Sequence, residues 1–326
     1  MKKVRFGIVG TSLIVDKVLK GAFLDERFEF VALYSRKQET GEAFASKYGV
    51  QHVFTSLEEM TSSDLIDAVY IASPNSCHAE QAICAMNNKK HVLCEKPFAS
   101  SADEVRSMIE CAKRNGVTLM EAMKSTLTPN FTAIRENLPK IGKVRRYLGT
   151  YINYSSRYDN YRAGILENTF MPELTNGAIM DIGVYAVYPM VVLFGKPQSV
   201  QSTGTMLESG VDAEGTAIFK YDGFTAVALF SKVCRSEVPT EIQGEDGTII
   251  VDKINTVKNV EFVDRVAKTK VSINRPSAPS EYFYEIEEFI NLIEAGKQES
   301  DVNSWDISLT VMELVDEIRN NIWENN

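Results

Sequence analysis

Cysteine and histidine, the residues that most often cross-link a chain or bind a metal, are scarce in this sequence. It has five cysteines and three histidines among 326 residues. The cysteine number is odd and no two cysteines form a CxxC pair, so the sequence encodes neither a disulfide framework nor a structural zinc site. No HExxH spacing joins the histidines to a carboxylate. We therefore expect no metal cofactor.

Long apolar runs and an excess of positive charge are also missing. The longest nearly apolar run, residues 183–195, is shorter than the ~18 residues that indicate a membrane span, and it contains Pro189. The apolar stretch behind the basic start is only Phe6–Val9, too short for a signal peptide. The net charge of −9 would repel a phosphate backbone. These features predict a cytoplasmic protein that binds neither membrane nor nucleic acid.

The first part of the chain alternates short apolar runs with segments of helical period. This pattern is typical of a parallel sheet covered by helices, and a length of 326 residues corresponds to about two domains. We predict a doubly wound α/β domain over residues 1–122. Its predicted strands are Val4–Val9, Phe28–Tyr34, Ala68–Ala72, His91–Cys94 and Val117–Met120.

After residue 122 the pattern changes to longer strand-like stretches followed by helical periodicity. We predict an α+β domain over residues 123–326 with a large, mostly antiparallel open sheet. An Asp246-Gly247 turn marks a hairpin. The predicted elements are strands in Arg145–Ser155 and Ala217–Val233, the hairpin Glu241–Gly244 with Thr248–Val251, and helices Glu281–Ala295 and Asp306–Trp323.

The turn after the first strand has part of a dinucleotide-binding fingerprint. A full GxGxxG pattern would place glycines at positions 10, 12 and 15, and only Gly10 matches. Gly10 still permits a tight turn, while Thr11 and Ser12 place hydroxyl and N–H groups at a helix N-terminus, which favours a pyrophosphate. An ordinary βα turn with Ser12 as the N-cap explains the same residues equally well.

The end of the second predicted strand indicates which dinucleotide is preferred. A ribose 2′-hydroxyl is usually held by an acid at this position, whereas a 2′-phosphate needs basic and hydroxyl donors. The sequence offers Ser35, Arg36 and Lys37, with no acid before Glu39. We predict NADP in preference to NAD, with Ser35 and Arg36 as phosphate ligands. The alternative is that Arg36 and Lys37 belong to a solvated turn.

Several further segments resemble one enzyme family in order and spacing. They are Val69-Tyr-Ile-Ala-Ser-Pro-Asn-Ser-Cys-His78, Lys89-Lys-His-Val-Leu-Cys-Glu-Lys-Pro97, Glu121-Ala122 and Gly177-Ala-Ile-Met-Asp-Ile-Gly-Val-Tyr185. Together they resemble the glucose-fructose oxidoreductase / inositol dehydrogenase / rhizopine catabolism family of NAD(P)-dependent oxidoreductases. The resemblance covers essentially the whole chain and implies an N-terminal Rossmann domain.

The resemblance also implies which residues of the first domain contact the cofactor. Ser73–Asn75 would pack along it with His78 near its outer edge, and Glu121 with Ala122 would approach the nicotinamide carboxamide. A Pro-Asn turn that caps the next helix, and an interface charge at Glu121, are the structural alternatives. The full predicted set is Gly7, Gly10, Thr11, Ser12, Leu13, Ile14, Ser35, Arg36, Ser73, Pro74, Asn75, His78, Glu95, Lys96, Glu121 and Ala122.

In the family, the lysine of Glu-Lys-Pro points at the substrate oxygen, and its peptide bond to proline is often cis. The resemblance therefore implies that Lys96, Asp181 and Tyr185 are the catalytic residues. If Gly183 opens a helix, Asp181 and Tyr185 project from one face of it, since they are four residues apart. Tyr185 is assigned as proton donor and acceptor because a neighbouring ammonium favours the phenolate. Either Lys96 or Tyr185 can carry the proton, and a buried core tyrosine is the alternative for Tyr185.

The substrate and assembly follow from the same resemblance. Inositol dehydrogenases of the family usually carry His where Tyr185 stands, so we expect a sugar, related polyol or dihydrodiol, contacted by Lys96, Arg162, Asp181 and Tyr185. Family members often pair through the second domain, which predicts a homodimer or a dimer of dimers. The alternative function is a non-catalytic NAD(P)-binding sensor, although such relatives tend to lack the lysine, aspartate or tyrosine present here.

Overall fold

The apolar run Val4–Val9 forms β1, the strand at the centre of the first sheet. A computed structural model describes residues 3–325 of the chain. Five of the six residues of β1 are buried, as expected for a strand covered on both faces. The other strands of this sheet are β2 (Phe28–Tyr34), β3 (His52–Phe54), β4 (Ala68–Ile71), β5 (His91–Glu95) and β6 (Leu119–Ala122).

These strands form a parallel sheet in the order β3-β2-β1-β4-β5-β6. This is the Rossmann strand order, in which ligands bind beyond the carboxyl ends of the strands. The predicted Rossmann domain is therefore confirmed. The described helices are α1 (Leu13–Ala22), α2 (Gln38–Ser46), α3 (Leu57–Ser62), α4 (His78–Asn87), α5 (Ala102–Asn115), α6 (Pro129–Asn137), α7 (Tyr158–Arg162), α8 (Val184–Phe194), α9 (Phe283–Ala295) and α10 (Trp305–Glu324).

Local sequence signals explain where α5 begins and ends. The hydroxyl of Ser101 accepts from the backbone N–H of Glu104, and the Glu104 carboxylate accepts from the N–H of Ser100. These bonds satisfy donors at the start of the helix. The helix stops at Gly116, whose φ of 68° lies in the left-handed region. Acids in the first turn and bases in the last turn complement the helix dipole.

A second sheet occupies the later part of the chain. Its strands are β7 (Val144–Ile152), β8 (Ser199–Met206), β9 (Asp212–Lys220), β10 (Thr225–Ser231), β11 (Thr240–Gly244), β12 (Gly247–Val251), β13 (Val260–Asp264) and β14 (Thr269–Ser272). Their order is β14-β13-β12-β11-β7-β10-β9-β8, and the pairing of β7 with β10 is parallel while the other pairs are antiparallel. The predicted mostly antiparallel open sheet is confirmed.

The chain divides into two units, and each unit consists of two separate segments of the sequence. The first unit contains residues 1–123 and 278–309, and the second contains residues 124–277 and 310–326. The sequence prediction places a boundary after residue 122 and assigns the whole remainder to one domain. In the structure, the segment that carries α9 returns to the first unit, where Arg27 donates to Asn291 and Glu294.

The predicted strands differ from the structure in several places, and β8, β13 and β14 are missing from the prediction. The short strand β3 is missing from the prediction because three residues are too few to show a period. The last strand of the first sheet begins at Leu119 and includes Ala122. The stretch Ala217–Val233 is two strands, because the chain turns at Asp222-Gly223 and Tyr221 N–H donates to the Phe224 carbonyl over 3.1 Å. An Asp-Gly turn is the signal that could have revealed this hairpin.

The apolar segment before β8 lies in the core of the second unit. Residues Pro172–Phe194 are long and apolar enough to cross a membrane by length and composition, but 72% of the most apolar window is buried inside the protein. This degree of burial is typical of a helix in a protein core. The segment includes a π-helical turn, Ile179–Gly183, directly before α8. Such turns often occur at functional sites.

Candidate active site

The first loop of the Rossmann unit requires a glycine at position 10. Gly10 has φ of 110°, and a Cβ atom there would stand 2.8 Å from the Ala72 carbonyl oxygen. The position therefore needs glycine. Ser12 is the N-cap of α1, and its side chain makes no capping hydrogen bond to the residues that the structure describes. Gly7 lies within strand β1, three residues before Gly10, and the side chains of Ile66 and Met60 fill the space beside it.

The end of β2 presents a base rather than an acid. The Ser35 side chain is 8% exposed, and its hydroxyl donates to the Lys37 carbonyl over 3.0 Å. Arg36 is exposed beside it. The nearest following acid, Glu39, lies in the first turn of α2. The hydroxyl of Ser35 thus supports the turn, and Arg36 is the side chain available to an anion in solvent.

His78 ties two loops of the first unit together. Its Nδ1 lies 2.9 Å from the Pro97 carbonyl oxygen, and its Nε2 lies 3.0 Å from the Ser73 carbonyl oxygen. A neutral imidazole can donate to one of these oxygens and a protonated imidazole to both. Burial lowers the pKa of His78. The ring is 1% exposed, so it braces the Ser73 loop and the Lys96-Pro97 turn from inside.

Lys96 follows the carboxyl end of β5 and is half-buried. Its peptide bond to Pro97 is cis. The preceding Glu95 points into the unit, where Oε1 accepts from the Tyr70 hydroxyl over 2.5 Å and Oε2 accepts from the Lys96 N–H over 3.2 Å. Glu95 therefore anchors the strand end from which Lys96 extends.

Glu121 is a buried carboxyl at the end of β6. Burial raises its pKa to about 8, even though hydrogen bonds from Ser308 and the Phe98 N–H and the charge of Lys96 favour the carboxylate. Among the residues that the structure describes, its Oε2 atom has no hydrogen-bond partner. At neutral pH the group is therefore mainly protonated, so it can both donate and accept a hydrogen bond.

Asp181 lies in the π-helical turn of the second unit, and a second carboxylate fixes this turn. The Asp212 Oδ2 atom accepts from the Ile179 N–H over 2.7 Å. Gly177 has φ of 147°, and a Cβ atom there would collide with the Asp212 carboxylate. Burial raises the pKa of Asp212 to about 6. Gly183 is the last residue of the π turn and the N-cap of α8, which begins at Val184.

A lysine that the sequence analysis missed holds the Asp181 carboxylate. The ammonium of Lys232 forms an ion pair with Asp181 Oδ2, and these side chains are 5% and 18% exposed, respectively. The same ammonium donates to the Thr169 carbonyl over 3.0 Å and lies 4.9 Å from the centre of the Phe170 ring. The Thr169 hydroxyl donates to Asp181 Oδ2 over 3.0 Å. Asp181 is thus fixed and neutralised within the unit.

Tyr185 stands at the start of α8 and is 8% exposed. The Tyr151 ring packs against it edge to face, with 5.6 Å between ring centres. The ammonium of Lys124 lies 5.4 Å from the centre of the Tyr185 ring. The structure therefore gives this phenol an aromatic neighbour and a cationic neighbour, neither of which the sequence analysis identified.

The remaining predicted residues have varied surroundings. Arg162 lies at the exposed end of α7, 3.8 Å from Asp159, with its side chain 66% exposed. Of the other predicted cofactor residues, two are exposed (Ser12 and Leu13), four are half-buried (Thr11, Ile14, Pro74 and Asn75) and Ala122 is buried. The Ser73 hydroxyl donates to the Gln81 side chain.

Two family models match the chain at the positions of the two sheets. Residues 4–123 match the oxidoreductase family with an NAD-binding Rossmann fold, and residues 141–250 match the GFO/IDH/MocA C-terminal domain. The chain belongs to the GFO/IDH/MocA oxidoreductase family. The predicted family and the predicted enzyme class, an NAD(P)-dependent oxidoreductase, are confirmed.

Several relatives of this GFO/IDH/MocA protein are named as dehydrogenases. The chain is 51% identical over 316 residues to scyllo-inositol 2-dehydrogenase (NADP(+)) from Bacillus subtilis, covering 97% of this chain and 96% of that protein. It is 29% identical to trans-1,2-dihydrobenzene-1,2-diol dehydrogenase from Danio rerio, covering 91% and 90% of the two chains. A 3-ketoreductase from Actinomadura kijaniata, crystallised with NADP and TDP-benzene, has the same fold, with a TM-score of 0.85, 21% identity and 98% of each chain covered.

The buried ion pair predicts a strong dependence of stability on Lys232. Lys232→Met leaves the Asp181 carboxylate without its ammonium, so the free energy of unfolding should fall by about 3 kcal/mol. The double variant Lys232→Met/Asp181→Asn should recover part of this loss, because no unpaired charge remains. Urea unfolding measures both. As a control, Lys196→Met breaks a surface pair with Glu313 and should cost less than about 1 kcal/mol; equal losses at the two lysines would contradict the assignment.

The raised pKa of Glu121 predicts a loss of stability as the pH rises from about 5 to about 8. Because its folded pKa of about 8 lies above the ordinary 4.5, the stabilising contribution is present below the ordinary value and is lost as pH rises through about 8. Between pH 5 and pH 9, Glu121→Gln should lose roughly 4 kcal/mol less unfolding free energy than the parent protein. The exposed Glu39→Gln serves as control. Parallel pH profiles for the parent and Glu121→Gln would show that Glu121 is ionised throughout.

Proposed function

We propose that the protein is an NADP-preferring dehydrogenase that interconverts a carbinol and a carbonyl on a neutral polyol. The observation that carries this proposal is the polar cluster at the start of α8. Asp181 lies in the π turn, and its carboxylate pairs with the ammonium of Lys232, which directly follows β10. The Tyr185 phenol lies in the first turn of α8. Such a cluster offers hydrogen bonds to hydroxyl groups and a phenol for proton transfer.

The residues of the first unit fit a dinucleotide. Gly10 leaves space beside the Ala72 carbonyl that a Cβ atom would fill, and the start of α1 provides N–H groups for a pyrophosphate. Arg36 would hold the 2′-phosphate, since no acid stands at the end of β2 to select a free hydroxyl. The protonated Glu121 carboxyl, whose Oε2 atom is unpartnered among the described residues, matches the donor and acceptor of a carboxamide.

The reaction requires a hydride and a proton to leave the same carbinol. A bound NADP would supply the hydride acceptor for this carbon. We assign the hydroxyl proton to Tyr185, which takes it as phenolate and becomes a phenol, so that a carbonyl remains. Lys96 would hydrogen-bond the reacting oxygen and stabilise its developing negative charge. In reduction each step runs in reverse.

Charge pairing supports a neutral substrate. Because Asp181 already forms an ion pair with Lys232, the pair offers donors and acceptors without a net charge. The relative with 51% identity is named for scyllo-inositol, a cyclic polyol, while the relative with 29% identity is named for a dihydrodiol. We therefore place cyclic polyols first, with sugars and dihydrodiols as the other members of the predicted class.

The proposal extends to assembly and location. Ile218 in β9 and Val271 in β14 are each 47% exposed apolar side chains on the second sheet, and a second copy of the chain would cover such residues. We propose a homodimer or a dimer of dimers that uses this sheet. We also keep the proposal of a cytoplasmic enzyme, supported by the acidic net charge of −9.

Removal of the proton-handling groups should abolish turnover without abolishing cofactor binding. Lys96→Met and Tyr185→Phe should each reduce kcat/KM for scyllo-inositol with NADP by at least ~100-fold, the scale of a missing general acid or base. NADPH binding, followed by fluorescence, should persist. The surface variant Lys140→Met controls for loss of a lysine. Normal turnover in both variants would contradict the roles of Lys96 and Tyr185, whereas a parent protein that binds NADPH but oxidises no polyol would support a non-catalytic NAD(P)-binding protein.

Cofactor choice should depend on Arg36. Loss of charge-assisted bonds to a 2′-phosphate costs about 1.5–3 kcal/mol, so Arg36→Ala should lower the ratio of kcat/KM for NADP over NAD by about 10- to 100-fold. Lys37→Ala, one residue further along the exposed turn, is the matched control. A parent enzyme that prefers NAD would defeat the NADP assignment.

A further inference from the structure

A second buried lysine of the second unit faces the tyrosine of the polar cluster. Lys124 lies in the 3-10 turn Lys124–Leu127 and is 3% exposed. Its Nζ donates to the Asn255 carbonyl over 2.6 Å and lies 5.4 Å from the centre of the Tyr185 ring. A carbonyl oxygen and an aromatic ring face are both groups that attract a charged ammonium.

The loop that carries Asn255 is held in an unusual conformation. Val257, a β-branched residue that is 1% exposed, has φ of 50° in the left-handed region. The Asn130 side chain donates to the carbonyls of Val257 and Lys258 over 2.8 and 2.9 Å. Such backbone strain persists only where surrounding contacts enforce it, and it is concentrated at functional sites.

Asn255 also connects the two neighbours of Tyr185. Its backbone carbonyl binds Lys124, and its side-chain amide donates to the Tyr151 hydroxyl over 3.1 Å. Tyr151 in turn packs edge to face on Tyr185. One loop residue therefore sets the positions of both the cation and the ring that flank Tyr185.

We propose that Lys124 is a positioning residue for Tyr185, and that its ammonium favours the ionised phenol that accepts the carbinol proton. This inference rests on the proposed role of Tyr185. A positive charge near an aromatic ring lowers the energy of the phenolate relative to the phenol. Lys124 thereby supplies the neighbouring ammonium that the sequence argument required for Tyr185, and Lys96 is left to bind the reacting oxygen.

The other groups around Tyr185 contribute little net charge. Burial raises the pKa of Tyr151, which keeps it neutral at pH 7. On the preceding turn, Asp181 is paired with Lys232. Burial likewise raises the pKa of Tyr147 in β7, whose hydroxyl donates to the Ala186 carbonyl. Strand β10, which packs against α8, has no titratable side chain within Thr225–Ser231.

The kinetic test compares charge and shape at position 124. In the oxidation direction, kcat/KM should rise with pH as Tyr185 ionises. Lys124→Met should move this rise to higher pH by roughly one to two units, with the rate recovering at high pH. Lys124→Arg, which keeps the charge, should restore the parent profile. Lys124→Gln keeps a donor for the Asn255 carbonyl without the charge and should behave as Lys124→Met, which covers the case in which the methionine variant does not fold.

A spectroscopic titration tests the same inference without turnover. The absorbance of tyrosinate near 295 nm is followed against pH for the parent and for Tyr185→Phe, and the difference reports Tyr185 alone. The same subtraction is made in the Lys124→Met or Lys124→Gln background, where ionisation of Tyr185 should require a higher pH. An unchanged midpoint, or a uniform rate loss with no shift of the pH profile, would overturn the role of Lys124. Full activity in Tyr185→Phe would instead overturn the proposed function, and the titration would still report on Lys124.

Discussion

Burial of the Lys232 ammonium against the Asp181 carboxylate is the interaction on which the polar cluster of the second unit depends. Taking either charge out of water alone is costly, so each requires the other together with further hydrogen bonds. Thr169 supplies those bonds through its carbonyl and its hydroxyl. The end of β10, the segment around Thr169 and the π turn before α8 are consequently held in one arrangement. That arrangement is what positions the start of α8, where Tyr185 stands.

The first unit uses the same principle with other chemical groups. Its loops follow the carboxyl ends of parallel strands, where the hydrogen bonds between neighbouring strands end. Buried side chains supply hydrogen bonds to these loops instead. His78 binds two loop carbonyls, and Glu95 binds both Tyr70 and the N–H of Lys96. Buried polar groups with satisfied partners make these loops rigid. The residues assigned to cofactor and substrate therefore extend from a fixed frame.

Sequence reasoning was most successful where a long pattern or a specific motif was present. The bounds predicted for β1 and β2 agree with the structure residue for residue, because continuous apolar runs specify a buried parallel strand. The family motifs identified the fold and the enzyme class. The argument from Tyr185 disfavoured inositol, because inositol dehydrogenases of the family usually carry His at this position, yet the relative with 51% identity is named for scyllo-inositol. The prediction omitted β3, β8, β13 and β14 and merged β9 with β10. A three-residue strand such as β3 and a tight turn such as that between β9 and β10 leave little periodic signal.

The order of residues alone determined the two kinds of sheet, the oxidoreductase family and the motifs that contain the lysine, the aspartate and the tyrosine proposed as catalytic. Tertiary structure decided which groups meet. It paired Asp181 with Lys232 across 51 positions of the chain, placed Lys124 beside Tyr185, and returned residues 278–309 to the first unit. Secondary structure follows from local periodicity, which a sequence displays directly. The partner of a buried charge depends on how distant segments pack, and no local pattern records that choice.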